Sequence, residues 1–416
     1  MSQQRQPNLL FIHTDQQHHL ALSALGNRHV RTPHMDRLVQ RGACFTSAFS
    51  ANPVCCPARA CWYTGRTASE NGMLSNNHRL ADDMIDLGQW FRARGYRPVY
   101  VGKWHIPGRN PAVGFDALAP DPSGWGEHSD RIISRTAQGF LQQYRDDRPF
   151  FLSLGFMQPH DCCYWLFSHG AIDALPHPQI ARDLPPVPPN GNVTHDEPPT
   201  LAKHTHNIRQ SRRDWNTLSW QYYIWSYYRM VEMVDAELGR VLDALESSPH
   251  ADNTLIVFTA DHGDGLGQHG LASKWYPYDS ALRVPLVICP PDRSVRLRID
   301  QQVVSGLDIA PTLCDYAGIG APPHMRGRSL RPLVERRPVE WRPAVVSESN
   351  LTGRVIITPE YKLAVHHNEP GALLFDRRQD LWEKHNLAAS AQHADTLARL
   401  SQALAEWEQK LIPASA

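Results

Sequence analysis

Short apolar runs rich in β-branched and aromatic residues recur along the chain and are separated by segments with helical spacing. The runs are Asn8 to His13, Arg97 to Val101, Pro149 to Met157, Thr254 to Thr259 and Val284 to Cys289. Each is apolar at nearly every position, which suits strands covered on both faces. Ile85 to Arg94 and Asp130 to Tyr144 read as helices between them. The strongest helical pattern places Trp220, Ile224, Tyr227, Val231, Val234, Leu238, Val241 and Leu245 in alternating steps of four and three, a stripe that packs on a sheet. This alternation predicts an α/β fold with a mostly parallel central sheet flanked by helices.

From Ala181 to Asn207 the chain turns to Pro, Gly, Asn and His, a composition that predicts a long surface loop. After Pro343 the pattern changes to short alternating strands, AVVSES, RVIITPEYKLAVHH and ALLFDRR. A helical stripe follows at Leu397, Leu400, Leu404, Trp407 and Leu411. We therefore expect a large domain over 1–342 and a small α+β C-terminal domain over 343–416, with antiparallel strands and a terminal helix.

The 416 residues are 42% apolar and carry 42 basic against 42 acidic side chains. A net charge of zero argues against duplex nucleic acid or an anionic membrane as the main partner, so any bound anion has to be held locally. The first apolar run, Leu9 to Ile12, is too short for a signal-peptide core or a membrane span, and the expected location is cytoplasmic. Eight cysteines without a CxxC pair read as reduced thiols, most of them buried.

Four of the apolar runs end in polar residues that a strand does not need. Asp15 and Gln16 follow the first, Lys103 and His105 the second, His160 and Asp161 the third, and Asp261 and His262 the fourth. Ligands of open parallel sheets bind outside the carboxyl ends of the strands, so these groups are expected to converge on one rim. Singly, an Asp after a strand is more often a turn or cap residue. Asp15, Gln16, Asp261 and His262 together offer three oxygen-bearing side chains and an imidazole, a set that suits one hard divalent cation such as Ca²⁺ or Mg²⁺ better than Zn²⁺. The pairs His18-His19, His204-x-His206 and His366-His367 lack the partners a zinc site requires. Cys55 stands just ahead of Pro57 and is expected to cap a helix N-terminus, where the dipole and Arg59 favour a reactive thiol.

The segment CCPARACWYTGR, residues 55–66, fits C-x-P-x-R-x-x-x-x-T-G-R at every fixed position and resembles the sulfatase signature. PNLLFIHTDQQ, GKWH, TADHGDGLGQHG, SKWYPYDSALRVPLVI, DIAPTL, RGRSL and LFDRRQDLWEKHNLA also look like sulfatase segments in the expected order. The resemblance implies the alkaline-phosphatase-like fold and a sulfatase acting on a sulfate monoester. It implies that Cys55 is converted to formylglycine, with Pro57 and Arg59 read by a formylglycine-generating enzyme. It further implies that Asp15, Gln16, Asp261, His262 and an oxygen of the modified Cys55 bind Ca²⁺, with Mg²⁺ or Mn²⁺ as the lesser alternatives. Arg59, Lys103, His105, His160 and Lys274 become the groups around the sulfate. In that scheme the aldehyde hydrate offers one hydroxyl for attack on sulfur and a second for elimination of sulfate. A protonated His160 or Lys274 donates to the leaving alkoxide, and His105 removes the proton that triggers elimination.

Gln16 departs from the second Asp that many sulfatases carry, and at this position it resembles choline-sulfatase-like members and phosphonate monoester hydrolases of the same superfamily. A phosphonate monoester or phosphodiester hydrolase is therefore the alternative activity. Lys103-Trp104-His105 and Lys274 pull back toward sulfate, and QPHDC looks like sugar-sulfate members, which favours a saccharide substrate. A reading of another class is an inactive anion-binding protein in which Cys55 stays a thiol. Substrate identity and oligomeric state stay open, as does any part in shaping the pocket for the loop and for Trp215 to Tyr228.

Overall fold

The computed structural model describes residues 6–121, 125–291, 295–349 and 353–412. Its main sheet contains β1 (Asn8–Thr14), β2 (Ala43–Phe45), β4 (Arg97–Gly102), β5 (Asp116–Pro120), β6 (Phe150–Gly155), β7 (Thr254–Ala260), β8 (Leu286–Cys289) and β9 (Leu297–Ile299). The two-residue strands β3 (Ala48–Phe49) and β10 (Val304–Ser305) pair with each other at its margin. The order is β5-β4-β6-β1-β7-β8-β2-β9, and the five strands from β5 to β7 are mutually parallel.

Period-two alternation explains how the central strand builds two cores. Leu10 and Ile12 join the core beneath the helices Pro33–Arg41, Gly126–Gln143 and Thr217–Glu246. Leu9 and Phe11 point the other way, into a core shared with the helices Cys55–Thr64, Leu87–Arg92 and Ile309–Tyr316. Every residue of β1 is buried, which is why its sequence shows no polar alternation.

The run Val284 to Cys289 forms β8, but β8 is antiparallel to β7 rather than part of a uniform parallel set. The reason lies in the connection. A parallel return needs a crossover to the opposite rim, whereas the segment between Ala260 and Leu286 holds only one short α-helix, Asp279–Leu282, and enters β8 from the rim at which β7 ends.

The expected loop at 181–207 is overturned in its last third, because Pro199–Ser211 is a helix. Pro199 sits at its first position, where a missing N–H costs nothing. Leu201 and Ile208 pack inward. Buried Glu197 accepts hydrogen bonds from Tyr278 Oη at 2.6 Å and Arg209 Nη2 at 3.1 Å, and from the Thr205 hydroxyl.

Toward the C-terminus β11 (Val345–Ser349), β12 (Gly353–Ile357), β13 (Tyr361–Val365) and β14 (Ala372–Asp376) form an antiparallel sheet in sequential order. Ile356, Leu363 and Leu374 face the helix Ala394–Glu408, which ends before Leu411. Val355, Ile357, Leu373 and Phe375 pack against Phe49, Tyr276 and Tyr278 of the main body. Among the described residues no helix is long and apolar enough to cross a membrane.

One ion cluster lies in this second interface. Lys362 is fully buried and its Nζ contacts Asp279 Oδ1 at 2.7 Å and a carboxylate oxygen of Glu383. Burial would raise the Asp279 carboxyl, but Lys362, Arg377 and Arg283 hold it at about 2. Removing the ammonium strands two buried carboxylates. We expect Lys362→Met to lower unfolding stability by about 3–5 kcal/mol in urea titrations. A loss within ~1 kcal/mol, the range of an exposed ion pair, would show that the cluster contributes nothing to the docking of this sheet.

Candidate active site

The four adjacent strands β4, β6, β1 and β7 end on one rim, and the polar residues that follow them converge there. Asp15 follows β1, Lys103 follows β4, His160 lies beyond β6, and Asp261 and His262 follow β7. The sheet closes tightly at this edge, where Gly102 (φ 100°) is paired with Gly155. A Cβ on Gly102 would lie 2.2 Å from the Gly155 carbonyl oxygen, and one on Gly155 would lie 2.5 Å from that of Lys103. Side chains at either position would push Lys103 away from the rim.

Arg59 organises the centre. Its side chain is fully buried on the Cys55–Thr64 helix. Nε donates to Asp261 Oδ2 at 3.0 Å, and Nη2 reaches Asp15 Oδ2 and Asp261 Oδ2, each at 3.0 Å. Nη1 donates to the Lys103 carbonyl at 2.6 Å and lies 3.3 Å from His13 Nδ1. Every nitrogen of the guanidinium thus has a protein partner. Because an arginine only donates, His13 accepts at Nδ1 and carries its proton on Nε2, 3.1 Å from Tyr63 Oη, which in turn lies 2.7 Å from Ser153 Oγ. Burial and the positive charge of Arg59 keep His13 well below its ordinary pKa, consistent with this neutral tautomer.

Cys55 stands at the focus. It is the first residue of its helix, so the expectation that it caps the helix shifts by one residue. Val54, in extended conformation, is the cap and offers no side-chain hydrogen bond. Cys55 Sγ lies 3.0 Å from Lys274 Nζ, 3.2 Å from His262 Nε2 and 3.9 Å from Asp15 Oδ1. Burial and Asp15 push the thiol up, but Lys274, His262 and Lys103 outweigh them and leave it well below the ordinary thiol range. Lys103 Nζ contacts Asp15 Oδ2 at 2.7 Å. Burial opposes the charge on Asp15, and Lys103 and Arg59 overcome it to hold the carboxyl well below its usual value. Lys274 is held well above the ordinary lysine value by Cys55, Cys163 and Asp15 despite its burial.

Gln16 adopts a left-handed backbone (φ 68°), and each end of its amide is fixed. Nε2 donates to Asp264 Oδ2 at 2.7 Å and Oε1 accepts from Lys274 Nζ at 2.7 Å. Its backbone N–H donates to Asp261 Oδ1 at 2.9 Å. Sequence reasoning missed the residues that set this orientation. Asp264 also accepts from Tyr223 Oη, Leu266 N–H and Ser273 N–H. Tyr227 Oη donates to the Gln16 carbonyl and accepts from His18 N–H, both at 2.7 Å. Tyr223 and Tyr227 lie four apart on the long helix, and Tyr227 was visible in its stripe only as a core residue. The aromatic stretch Trp215 to Tyr228 therefore supports the site from below, through the hydroxyls of these two tyrosines.

His105 and His160 lie toward the more open side, half-buried, each with a sheltered Nδ1 that has no hydrogen-bond partner. Burial and then Lys103 lower His160 to about 3, which leaves it neutral in the free protein. Asp161 does not join the site. Its carboxylate accepts from the Gly126 and Glu127 N–H groups and holds the start of the helix Gly126–Gln143.

The side-chain ligand atoms of Asp15, Cys55, Asp261 and His262 all lie within 4.8 Å of one another. Two oxygens across a calcium ion bonded at ~2.4 Å are separated by about 4.8 Å, so this spread fits a single shared cation. His262 Nδ1 faces the Gly263 carbonyl oxygen at 2.9 Å, which directs Nε2 toward Cys55 and the carboxylates. No such group forms around the histidine pairs among the described residues.

The family model described as Sulfatase matches residues 7–319, and that described as N-sulphoglucosamine sulphohydrolase, C-terminal, matches residues 267–410. The chain is similar to the Delta 4,5-hexuronate-2-O-sulfatase of Bacteroides thetaiotaomicron, at 28% identity over 95% of this chain and 87% of that protein. It superposes on a solved 2-O GAG sulfatase with a TM-score of 0.87 at 27% identity, covering 97% of this chain and 92% of the other. It also superposes on the phosphonate monoester hydrolase of Agrobacterium radiobacter with a TM-score of 0.83, covering 98% and 96%. At 24% identity that likeness speaks to the fold alone.

Tyr227→Phe tests the support beneath Gln16, because it strips one buried carbonyl and one buried N–H of their partner. We expect it to cost about 1–3 kcal/mol of stability in urea unfolding. A variant within ~0.5 kcal/mol of the parent would contradict that role.

Proposed function

This chain belongs to the sulfatase family and is a sulfuric ester hydrolase, and we propose that it cleaves a saccharide sulfate monoester at residue 55. The observation that carries the proposal is the position of Cys55 Sγ, 3.0 Å from the ammonium of Lys274, 3.2 Å from His262 and 3.9 Å from Asp15. Formylglycine at this position supplies, when formed, a hydrated aldehyde as the nucleophile. Cys55 and Arg59 are fully buried in the folded chain, so the converting enzyme has to act before this site closes. Asp15, Gln16, Asp261, His262 and the oxygen of residue 55 would hold one Ca²⁺, which supplies positive charge beside the sulfate oxygens.

The chain's own groups divide the remaining work. Arg59 is spent on the two carboxylates and acts by positioning them, so its charge reaches the substrate only through the fixed cluster. Lys103 and Lys274 carry the positive charge nearest the ester, and Lys274 keeps its proton at a nitrogen directly beside residue 55. We assign it as the donor to the departing alcohol oxygen. His160 is neutral at working pH and orients the ester by hydrogen bonding. His105, with its sheltered ring nitrogen, is the base that takes the proton from residue 55.

Two observations support a sugar. The similar proteins are named for a hexuronate and for a 2-O GAG position. Near His160, the ring centroids of Trp125 and Tyr164 lie 4.7 Å apart with their planes tilted by 42°, Tyr164 is 5.7 Å from the His160 ring and Trp125 is 47% exposed, an aromatic wall against which a pyranose can pack. We take residues 1–342 as the catalytic unit and 343–416 as the unit that closes its edge. The eight free cysteines favour a reducing, cytoplasmic setting.

Phosphonate hydrolysis is the second reading, favoured by the neutral side chain at Gln16. The deciding experiment uses protein whose residue-55 peptide is shown by mass spectrometry to carry the aldehyde, and compares kcat/KM for an aryl sulfate and the matching aryl phosphonate. We expect sulfate to lead by at least about tenfold, ~1.4 kcal/mol at the transition state. Preference for the phosphonate would overturn the assignment, and so would full turnover by protein whose Cys55 is still a thiol.

A further inference from the structure

Farther along the sheet from residue 55, a cleft of about 810 Å³ opens between the end of β2, the β9 edge and the C-terminal sheet. Arg283, Arg298, Arg342, Arg377 and Arg378 line it, against the carboxylates of Asp300 and Glu360. For a chain of zero net charge this is a strong local excess of positive charge.

The arginines are unequally neutralised. Arg298 pairs with Asp300 at 2.8 Å and Arg378 with Glu360, but these side chains are well exposed, and such pairs hold little charge away from a competing anion. Arg342 is paired with buried Asp308 and stacks over Trp341. Among the described residues Arg377 has no carboxylate within 4 Å. It lies over Phe49, donates to the Thr358 carbonyl at 2.5 Å and to Ser47 Oγ at 3.4 Å, and its buried Nε has no partner. Arg283 donates through Nε to the Thr46 carbonyl and lies 3.9 Å from Asp279, which Lys362 already occupies at 2.7 Å.

Planar guanidinium forks are the groups that bind sulfate and carboxylate oxygens in pairs. Trp341, Pro343 and Pro359 add flat apolar wall between them. A volume of about 810 Å³ falls in the range of sites for ligands larger than one oxyanion, ~300–1,000 Å³. In the order β1-β7-β8-β2 the mouth of the cleft lies three strand positions from Asp15, about 14 Å at the usual ~4.8 Å spacing. That is a span of a few sugar units.

We propose that this cleft is a second binding site that takes a sulfated oligosaccharide segment remote from the ester presented to residue 55. It rests on the saccharide sulfatase reading for its biological sense, but its test does not need turnover. The full chain and an Arg298→Glu/Arg378→Glu variant, both changed on exposed side chains, are titrated calorimetrically with a size-defined heparin octasaccharide and with inorganic sulfate at 0.15 M salt. We expect the octasaccharide to bind the variant at least about tenfold more weakly, inorganic sulfate to bind both proteins weakly and alike, and kcat/KM on a sulfated monosaccharide to stay unchanged. An Arg377→Gln variant with an unaltered melting temperature is expected to show the same selective loss. Equal octasaccharide affinity in parent and variants overturns the proposal. Inorganic sulfate matching the octasaccharide in affinity and in its loss also overturns it, leaving a simple ion site. A tenfold loss in protein that turns over no sulfate ester would support the cleft while removing the catalytic reading.

Discussion

Arg59 holds the carboxylates of Asp15 and Asp261 in place through Nε and Nη2, fully buried from solvent. Two carboxylates and an arginine cannot be buried separately at tolerable cost. Buried together, with Lys103 closing the other side of Asp15, they form a rigid patch whose remaining oxygens face Cys55 and His262. The rest of the site depends on that patch. His13, Tyr63 and Ser153 extend the hydrogen-bond chain away from it into the core, so the geometry of the rim is anchored to the centre of the sheet.

The fold supplies this patch through direction and closeness. Four neighbouring parallel strands end together, and the paired glycines at 102 and 155 let two of those ends approach closely. The long segment after β7 stays on the same rim before turning back as β8, which brings Lys274 over residue 55 without a crossover. Ser273 and Trp275, on either side of Lys274, both have positive φ, at 71° and 81°. Non-glycine residues hold that conformation only where the surroundings impose it, here in part through the Ser273 N–H bound to Asp264. The same acid fixes the amide of Gln16, so one buried carboxylate orients both the backbone beside Lys274 and the amide that its ammonium meets.

Much of this was legible in the sequence because strands announce themselves by uninterrupted apolar runs, and a polar residue just past such a run is conspicuous. Asp15, Lys103, His160, Asp261 and His262 were found that way, and the rim they share is the one they occupy. What stayed hidden has physical causes. Strand direction is not written in a run such as Val284 to Cys289, since it depends on where the preceding loop travels. The helix Pro199–Ser211 was masked by the prolines before it, which mark a helix start as readily as a loop. Tyr223 and Tyr227 carry their function in a hydroxyl at the tip of a buried ring, so helical periodicity reads them as core. For Arg59 the helix position was right, but the exhaustion of its donors on protein partners is a three-dimensional fact.

On the proposed function, the carboxylates fixed by Arg59 would share one cation with the oxygen of residue 55. This sharing is tested most directly by anomalous diffraction from a crystal of the aldehyde-bearing enzyme grown with calcium. A single peak is expected, bonded to Asp15 and Asp261 and lying ~2.3–2.6 Å from an oxygen on residue 55. A peak bound elsewhere, with the side chain of residue 55 turned away from both carboxylates, would contradict it.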